Sequence, residues 1–325
     1  MKSAILGTGY YVPENIVTNF DLEKLMDTND EWITSRTGIK ERRIASKEEM
    51  NSDLAVKAAE RAILSSGLKN SDIDCVILAT ITGDYIWPAT SCEVINKLGI
   101  NGIMAFDISA ACSGFVYALS IAKSYIEAGF KKNVLVIGVE KFSSTLNWND
   151  RNTSILFADG AGAVVVGESD GVSEILEFSI GASGEKFKSL YVSAGGSNNP
   201  LSNEALENKE NFIYMDGKEI FRNAVKIMPA ELDKAIEKSN LKIEDIDYFI
   251  FHQANLRIIQ SIAKRYGVND EKVIINVNKY GNTSAATIPI ALAEAFENGR
   301  IKKGDIVGMS AFGAGLTWGA CVVKI

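Results

Sequence analysis

The chain contains two similar segments, one beginning at Ala62 and the other at Ala235, and this repeat limits the folds that are open to it. Residues 62–74 and 235–247 share Ala, Ile, Ser, Leu, Lys, Asp, Ile and Asp at equivalent positions. Each copy reads as the end of a helix, a turn and an apolar strand, an order typical of parallel α/β units. We therefore expect an α/β protein with two similarly folded halves, residues 1–170 and residues 171–325.

A second correspondence extends the repeat further along both halves. Glu127 and Glu297 each end a predicted helix, shortly before a glycine and a basic turn. The spacing between these two glutamates, slightly shorter than that of the first correspondence, also aligns Cys112 with Asn282. If the halves pack around a pseudo-twofold axis, the helix starts at Cys112 and Asn282 would face a common centre.

A cysteine stands where an apolar run gives way to small residues. Residues 104–108 predict a strand and residues 114–128 predict a helix, so Cys112 would lie at the helix N-terminus. Free amide groups and the helix dipole there favour the thiolate, which is the nucleophilic form of cysteine. A small buried cysteine in a packed turn explains this stretch equally well, so the stretch alone leaves both interpretations open.

The second half carries two further polar stretches at the ends of predicted elements. His252, the only histidine, follows the apolar run 248–251, and Asn282 follows Gly281 before a helix of small residues. Strand ends are where open α/β sheets place their chemistry. Cys, His and Asn together fit a papain-like hydrolase or a condensing enzyme that uses the cysteine as acyl acceptor. The duplicated α/β pattern and the sequence around Cys112 do not suit a papain-like protease.

Charge, cysteine spacing and hydropathy argue against several other classes of protein. The formal net charge of −7 disfavours a general nucleic-acid binder. The four cysteines have no spacing typical of zinc or redox motifs, so we expect no metal site and a reduced, cytoplasmic compartment. Residues 1–12 are apolar but read as a first strand rather than a signal peptide, and no apolar run is long enough to span a membrane.

Three other patterns carry structural predictions. Residues 51–66 have the periodicity of an amphipathic helix. Gly7–Gly9 follow a predicted strand and begin like a dinucleotide-binding loop, but the third glycine is absent, so we interpret them as a turn. Thr153–Phe157 and Gly162–Gly167 are interpreted as a pair of neighbouring strands.

A tryptophan and an arginine lie one helical turn apart in a charged stretch. Trp32 and Arg36 could present a flat ring and a guanidinium together, a combination that suits a purine beside a phosphate. A solvated helix end with an anchoring tryptophan accounts for the same residues, and this stretch alone favours that simpler interpretation.

Six short motifs, taken together and in this order, are similar to those of one known family. They are Trp32 with Arg36–Ile39, Ala110–Phe115, Asp159–Ala163, His252–Asn255, Gly281–Ser284 and Phe312–Gly319. The chain resembles the β-ketoacyl-acyl carrier protein synthase III family, the initiating condensing enzymes of type II fatty acid synthesis, over nearly its whole length. The resemblance implies the thiolase fold, five layers in the order α-β-α-β-α, assembled as a homodimer.

The resemblance also implies a division of labour among the candidate catalytic residues. Cys112 would take the acetyl group of acetyl-CoA, and malonyl-acyl carrier protein would then lose CO2 to give an enolate. His252 Nε2 and Asn282 Nδ2 would donate hydrogen bonds to the enolate oxygen. The backbone N–H groups of Cys112 and Ala314 would form the oxyanion hole for acyl transfer. The CoA thioester is a substrate, so no cofactor and no metal are expected.

Binding residues follow from the same resemblance. Trp32 and Arg151 would hold the adenine between them. The other expected CoA contacts are Arg36, Arg222, Arg257 and Asn255. Because acyl carrier protein is acidic, we expect it to dock on a basic helix face that carries Arg257, Lys264 and Arg265.

Two departures from the family pattern bear on the site. Ala314 stands where the family commonly has glycine, so the oxyanion hole depends on a backbone conformation that admits a Cβ. Trp87 lies in a loop that, in the family, reaches across the dimer to the acyl pocket, where its bulk would favour acetyl over branched primers.

Three alternative functions remain open. They are a relative that condenses another acyl thioester in secondary metabolism, a Cys-His-Asn hydrolase and a non-enzymatic binding module.

Overall fold

The computed structural model describes the whole chain, Met1–Ile325. The strands are β1 (Ser3–Tyr11), β2 (Ile16–Thr18), β3 (Glu41–Arg43), β4 (Cys75–Ala79), β5 (Met104–Ile108), β6 (Val134–Lys141), β7 (Asp159–Glu168), β8 (Glu174–Ala182), β9 (Leu190–Val192), β10 (Ile213–Met215), β11 (Tyr248–Phe251), β12 (Ile306–Gly313) and β13 (Thr317–Lys324). The α-helices are α1 (Asn19–Glu23), α2 (Asp30–Thr37), α3 (Asn51–Ser66), α4 (Thr90–Lys97), α5 (Gly114–Glu127), α6 (Asn203–Glu207), α7 (Gly217–Lys238), α8 (Leu256–Tyr266), α9 (Val277–Tyr280) and α10 (Thr287–Glu297).

Two mixed sheets form the frame of the molecule. The first has the strand order β1-β7-β6-β4-β5, and the second has the order β11-β12-β13-β8. Strand β4 pairs in parallel with both β5 and β6, and β11 pairs in parallel with β12, while the other pairs in these two sheets are antiparallel. Parallel neighbours need helical crossovers, and these crossovers supply the layers that cover each sheet.

Helices lie between the two sheets and on both of their outer faces. Helices α3 and α4 cover the first sheet, α7 and α8 cover the second, and α5 and α10 are packed between them. Helix α10 is buried from Thr287 to Ala295, whereas α5 exposes Ser124 near its end. The buried side chains of this central layer include Phe115, Leu119, Ile288 and Leu292. A helix that is buried all round is expected to be apolar all round. The result is the five-layered thiolase fold, as expected.

The internal repeat is visible in the backbone. The turns Asn70–Asp72 and Ile243–Asp245 are both single 3₁₀ turns that lead into strands β4 and β11, and they occupy equivalent places in the two copies of the repeat. In each, the final Asp accepts a hydrogen bond of 2.8 Å from the backbone N–H three positions earlier. Every strand of the first sheet lies within residues 3–168 and every strand of the second within residues 174–324. This separation supports the two-half division, which itself stays a prediction.

The starts of the two central helices are separated along the chain by the same number of residues as the two 3₁₀ turns. The ends of these helices, at Glu127 and Glu297, are separated by the shorter spacing. Helix α10, which begins at Thr287, has 11 residues, whereas α5, which begins at Gly114, has 14. The residues three positions before these starts, Ala111 and Ser284, share an uncommon left-handed φ of 46° and 50°. Cys112 and Asn282 lie at different distances from their helix starts, so the alignment of one with the other is wrong.

Two other sequence interpretations are wrong for steric and local reasons. Gly7–Gly9 continue strand β1 instead of forming a turn, because helix α3 packs directly on them. A Cβ on Gly9 would lie 2.4 Å from the backbone nitrogen of Ala62. Residues 153–157 form successive turns rather than a strand, and only Phe157 makes a single bridge, to Asn282.

The helix 51–66 and the strand 104–108 have the predicted bounds. None of the helices is both long enough and apolar enough to cross a membrane.

Candidate active site

Cys112 lies in a strained turn between strand β5 and the central helix α5. The 3₁₀ turn Ala111–Ser113 leads directly into the helix at Gly114, and Cys112 is buried. A non-glycine residue in the left-handed region, such as Ala111, costs on the order of 1–3 kcal/mol. The surrounding packing maintains this conformation, which brings the cysteine to the start of α5 as the sequence predicts.

Burial determines the protonation of the free thiol. Transfer of the group out of water raises the pKa of Cys112 to about 12, and the nearby carboxyl group of Glu140 acts in the same direction. A hydrogen bond with the Ser284 side chain opposes the shift but does not cancel it. Burial therefore favours the thiol in the unliganded protein, against the direction expected from the helix start.

Asn282 is fixed through both its backbone and its side chain. Its backbone N–H donates to Leu156 O at 2.8 Å, and its carbonyl accepts from the N–H of Ala158 at 3.0 Å. The backbone N–H of Ser284 donates to Asn282 Oδ1 at 2.9 Å. Because this bond requires an acceptor, it assigns the oxygen of the amide and leaves Nδ2 for the cavity that Asn282 lines.

His252 follows the last residue of β11 and is held from two sides. Its backbone N–H donates to Ser310 O at 2.8 Å, and its Nδ1 lies 2.7 Å from the hydroxyl of Thr287. Burial lowers the pKa of His252 to about 3, so the ring is neutral at pH 7. The ring therefore has one N–H donor and one acceptor nitrogen.

Two cavities meet at Cys112. The entrance cavity, about 690 Å³ including its open part, is lined by Cys112, His252, Asn282 and Asn255 together with apolar side chains. The inner cavity, about 430 Å³ including its open part, is mainly apolar, and its lining includes Phe142 and other hydrophobic side chains. Cys112 lines both cavities, so a group carried by its sulfur can lie in one while a second molecule approaches through the other.

The end of strand β12 packs against Cys112. A Cβ added to Gly313 would lie 2.7 Å from Cys112 N, so only glycine allows this approach. Ala314, the next residue, lines the inner cavity beside Cys112. Ala314 is not among the residues with positive φ, whereas Gly315 has a φ of 131°. The alanine therefore sits in a conformation that accepts a Cβ, and its backbone N–H is retained.

Glu140 is a buried acidic residue near the site that is absent from the residues predicted from the sequence. It ends the apolar part of β6 and accepts hydrogen bonds from Thr80, Ile81, Thr82 and Ser284. Burial raises the pKa of its carboxyl group to about 7, although each of these bonds opposes the shift. Its position directly after a buried apolar run, at the same sheet edge as Cys112, was the signal available in the sequence.

Trp32 contacts two arginine side chains. The guanidinium carbons of Arg36 and Arg151 both lie 5.0 Å from the centroid of the Trp32 ring. A base inserted between Trp32 and Arg151 needs about 3.5 Å on each side, so Arg151 must move outward to admit one. Its present position is held by a 2.9 Å hydrogen bond to Asp27 O.

Asn255 links the entrance cavity to helix α2. Its Oδ1 caps α8 by accepting from Arg257 N at 2.8 Å, and its Nδ2 donates to Arg36 O at 3.1 Å. The Arg257 guanidinium lies 5.9 Å from the ring of Phe221, which lines the same cavity. Arg222 is next to Phe221 in α7, exposed and paired with Glu219. Of the expected CoA contacts, Asn255 thus lines the entrance cavity, and Arg257 contacts a ring that lines it. Arg36 and Arg222 adjoin these residues through a hydrogen bond and through the chain, respectively.

Helix α8 presents the predicted basic face. Ile258, Ile259, Ile262 and Ala263 are buried on one side of the helix, and Arg257 and Lys264 are exposed two turns apart on the other. Arg265 is also exposed, but its guanidinium donates to Asp233 at 3.0 Å. Arg257 and Lys264 are thus the residues of this set without an acidic side-chain partner in an ion pair.

Trp87 does not line either cavity of its own chain. Its side chain is 83% exposed, and the neighbouring Ile86 is 90% exposed. Strand β5, beside this loop, pairs only with β4 and has a free edge. A role for Trp87 in an acyl pocket therefore requires the pocket of a second copy of the chain.

No group of three or more His, Cys, Asp and Glu side chains is arranged to hold a metal ion.

Comparison with known families gives two matches. Residues 106–184 match the family described as 3-oxoacyl-[acyl-carrier-protein (ACP)] synthase III, and residues 236–325 match its C-terminal region. The first match contains Cys112, and the second contains both His252 and Asn282.

Individual relatives are similar over the full length of the chain. The β-ketoacyl-[acyl-carrier-protein] synthase III of Caldanaerobacter subterraneus subsp. tengcongensis is 52% identical over 324 residues, which cover 100% of this chain and 98% of the relative. The protein of the same name from Clostridioides difficile is 52% identical over 325 residues, covering 99% and 98%. The crystal structure of 3-oxoacyl-[acyl-carrier-protein] synthase III from Aquifex aeolicus superposes with a TM-score of 0.92 at 48% identity, covering 99% and 100%.

Proposed function

This chain belongs to the β-ketoacyl-[acyl-carrier-protein] synthase III family, and we propose that Cys112, His252 and Asn282 carry out its condensation. The protein is an acyltransferase that initiates fatty acid synthesis. It joins a short acyl-CoA, acetyl-CoA in the simplest case, to malonyl-acyl carrier protein and releases CoA and CO2. The observation that carries the assignment is the meeting of two cavities at Cys112, one of which also contains His252 and Asn282.

In the first half-reaction, the sulfur of Cys112 attacks the thioester carbonyl of acetyl-CoA. The bond between the carbonyl carbon and the CoA sulfur breaks, and the thiol proton leaves with CoA. The backbone N–H groups of Cys112 and Ala314 stabilise the negative charge on the carbonyl oxygen. The close approach of Gly313 to Cys112 supports this assignment, because the following residue, Ala314, lines the inner cavity together with Cys112. The acetyl group then lies toward the inner cavity.

In the second half-reaction, the malonyl thioester loses CO2 and its electron pair becomes an enolate. Asn282 Nδ2 and His252 Nε2 donate to the enolate oxygen, and the enolate carbon attacks the acetyl group on Cys112. Asn282 suits this role because its Oδ1 already accepts from Ser284, so the donor end of the amide faces the substrate. Neutral donors stabilise the developing charge without requiring a buried ion.

The same geometry argues against a Cys-His-Asn hydrolase. In such an enzyme the Asn side chain orients the imidazole. Here the Nδ1 of His252 is within hydrogen-bond distance of Thr287, while the Asn282 side chain is bonded to Ser284. His252 and Asn282 are oriented independently of each other, as two separate donors to one substrate oxygen would be.

The remaining groups divide between the two substrates. Trp32 and Arg151 hold the adenine of CoA, with Arg36, Arg222, Arg257 and Asn255 near its phosphates. Arg257 and Lys264 on α8 form the docking face for the acidic carrier protein, beside the entrance cavity that its prosthetic arm must enter. Catalysis needs no cofactor, since the CoA thioester is itself a substrate and both donors belong to the protein.

The enzyme acts as a homodimer in the cytoplasm. The free edge of β5 supports this proposal, because a second copy would pair there and continue the first sheet across the interface. The exposed Ile86 and Trp87 beside that edge would be buried by the same contact. Trp87 would then reach the inner cavity of the partner subunit and limit the length of the acyl group.

The decisive experiment follows the acyl group by mass spectrometry of the intact protein. Incubation with acetyl-CoA should add one acetyl group to Cys112, and malonyl-acyl carrier protein should remove it as acetoacetyl product. The Cys112→Ala variant is the control and should gain no acetyl group. Loss of the acetyl group as free acetate, without the malonyl substrate, would identify a hydrolase. Full activity in Cys112→Ala would exclude covalent catalysis at this residue.

A further inference from the structure

The hydroxyl of Thr287 is the only polar group within hydrogen-bond distance of His252 Nδ1, at 2.7 Å. Thr287 is the first residue of the central helix α10 and is buried. Its hydroxyl also lies 2.9 Å from the carbonyl oxygen of Ser284. One hydroxyl proton therefore faces two acceptors, and its direction decides which nitrogen of His252 carries the ring proton.

Two arrangements satisfy every atom of this group. In the first, the hydroxyl donates to Ser284 O and accepts from a protonated Nδ1, which leaves Nε2 as a lone pair. In the second, the hydroxyl donates to Nδ1, and Nε2 carries the proton. In the second arrangement the Ser284 carbonyl no longer accepts from the hydroxyl, but it keeps one hydrogen bond, from the backbone N–H of Thr287. Hydrogen-bond satisfaction alone therefore does not choose between them.

The proposed reaction requires the second arrangement. A neutral imidazole has a single N–H, and burial keeps this ring neutral at pH 7. Donation to an enolate oxygen in the entrance cavity requires that N–H at Nε2, because Nδ1 faces Thr287. This step rests on the function proposed above.

We propose that Thr287 is a positioning residue that donates its hydroxyl proton to His252 Nδ1 and so fixes the Nε2–H tautomer that the condensation needs. Thr287 contacts neither substrate. It acts through the ring of His252, as the third member of a catalytic triad acts through its histidine. Two successive peptide groups flank this arrangement, since the N–H of Ser284 orients Asn282 and the C=O of Ser284 lies against Thr287.

The tautomer can be read directly, because His252 is the only histidine in the chain. The full-length protein labelled with ¹⁵N-histidine gives one pair of imidazole signals, in which a protonated nitrogen is readily told from an unprotonated one. At pH 7, without substrate, we expect Nε2 to carry the proton. A proton on Nδ1 would overturn the proposal. Since no substrate is present, this result is independent of whether the condensing function is correct.

Variants at Thr287 separate positioning from packing. Thr287→Val keeps the shape of the side chain but removes the donor, so we expect the two nitrogen signals to shift toward a mixture of tautomers. Release of CO2 from malonyl-acyl carrier protein should fall about 10- to 100-fold, while acetylation of Cys112 continues. Thr287→Ser, which restores the hydroxyl, should recover the Nε2–H signature and most of the rate.

Thr283→Val is the matched control, since Thr283 is equally buried in the same segment and its hydroxyl makes no bond with His252. It should leave the tautomer unchanged. An unchanged tautomer and unchanged CO2 release in Thr287→Val would overturn the proposal, as would a valine variant that Thr287→Ser fails to rescue. If no acetoacetyl product formed in the wild-type protein, the proposed function would fail while the tautomer result still stood.

Discussion

The backbone N–H of Ser284 donates to Asn282 Oδ1 at 2.9 Å, so the donor end of the Asn282 amide is left for the entrance cavity that this residue lines. Asn282→Asp keeps the shape and the bond to Ser284 but replaces the donor by a negative oxygen. Decarboxylation should fall by roughly 10²–10³ or more, because a stabilising donor is lost and the enolate is repelled. Release of ¹⁴CO2 from labelled malonyl-acyl carrier protein measures the effect.

Asn282→Ala is the companion variant, since it removes the donor without adding charge. It should retain more activity than the Asp variant, and both should still be acetylated on Cys112. Loss of acetylation in a folded variant would show that Asn282 also serves the first half-reaction and would contradict the division of labour.

The raised pKa of Cys112, about 12, predicts a steep pH dependence of its reactivity. Below that pKa the thiolate fraction increases about tenfold for each pH unit, because nearly all of the group is still protonated. Alkylation of Cys112 by iodoacetamide, followed by peptide mass spectrometry, should therefore accelerate about tenfold from pH 7 to 8 and again from pH 8 to 9. A plateau that begins below pH 8 would show that the helix start stabilises the thiolate after all.

Glu140 should make the protein less stable as the pH rises through neutrality. Its folded pKa of about 7 lies above the ordinary value of 4.5, so the folded state holds a proton that the unfolded state has lost. Its contribution is fully present below pH 4.5 and is lost as the pH rises toward and through 7, a change on the order of 3 kcal/mol. Urea unfolding at pH 5 and pH 8 measures this change.

Glu140→Gln cannot ionise and should lack this part of the pH dependence. The comparison is between the two pH values within each protein, because Gln also alters the hydrogen bonds from Thr82 and Ile81. Equal pH dependence in the two proteins would mean that Glu140 stays ionised in the folded state at pH 5.

Trp32→Ala tests the adenine site through a comparison of two substrates. Loss of stacking should raise the KM for acetyl-CoA about tenfold or more. The KM for acetyl-pantetheine, which lacks the nucleotide, should not change, so the second substrate is the internal control. A parallel increase for both substrates would indicate a disturbed fold around α2 instead of a lost nucleotide contact.

Lys264→Glu tests the docking face on α8. The charge reversal should raise the KM for malonyl-acyl carrier protein about 5- to 10-fold at low salt and less at high salt, because screening weakens exposed charges. Acetylation by acetyl-CoA should not change. Lys132→Glu is the matched control, since Lys132 is exposed beyond the far end of α5, about 21 Å along that helix from its start. An equal effect of both variants would indicate general electrostatics without a docking face.

Local sequence patterns were sufficient to predict the type and the bounds of elements whose packing is regular. Helix 51–66 and strand 104–108 were predicted with their observed bounds, because apolar periodicity and small residues reflect burial directly. Gly7 and Gly9 were interpreted as a turn, but glycine also permits a helix to pack closely against a strand, which is its role here. The turns at 153–157 resembled a strand because their apolar side chains pack beneath the site.

The candidate site was less accessible from the sequence, because its chemistry depends on contacts between distant residues. The sequence pointed to Cys112, His252 and Asn282 as candidates, but His252 and its partner Thr287 are far apart in the chain and no periodicity connects them. The raised pKa of Cys112 was also not accessible from the sequence, because the helix start is a local feature, whereas burial depends on the whole fold. Glu140 was overlooked for the same reason.

The two cavities that meet at Cys112 also impose an order on the substrates. His252 and Asn282 line the entrance cavity and are absent from the inner one, so the second thioester must occupy the space through which CoA departs. On the proposed mechanism the two thioesters cannot be bound productively at once, so we expect kinetics of the ping-pong type. Free CoA should then compete with the incoming carrier protein, so a rising ratio of CoA to acetyl-CoA is expected to slow the condensation without a separate regulatory site.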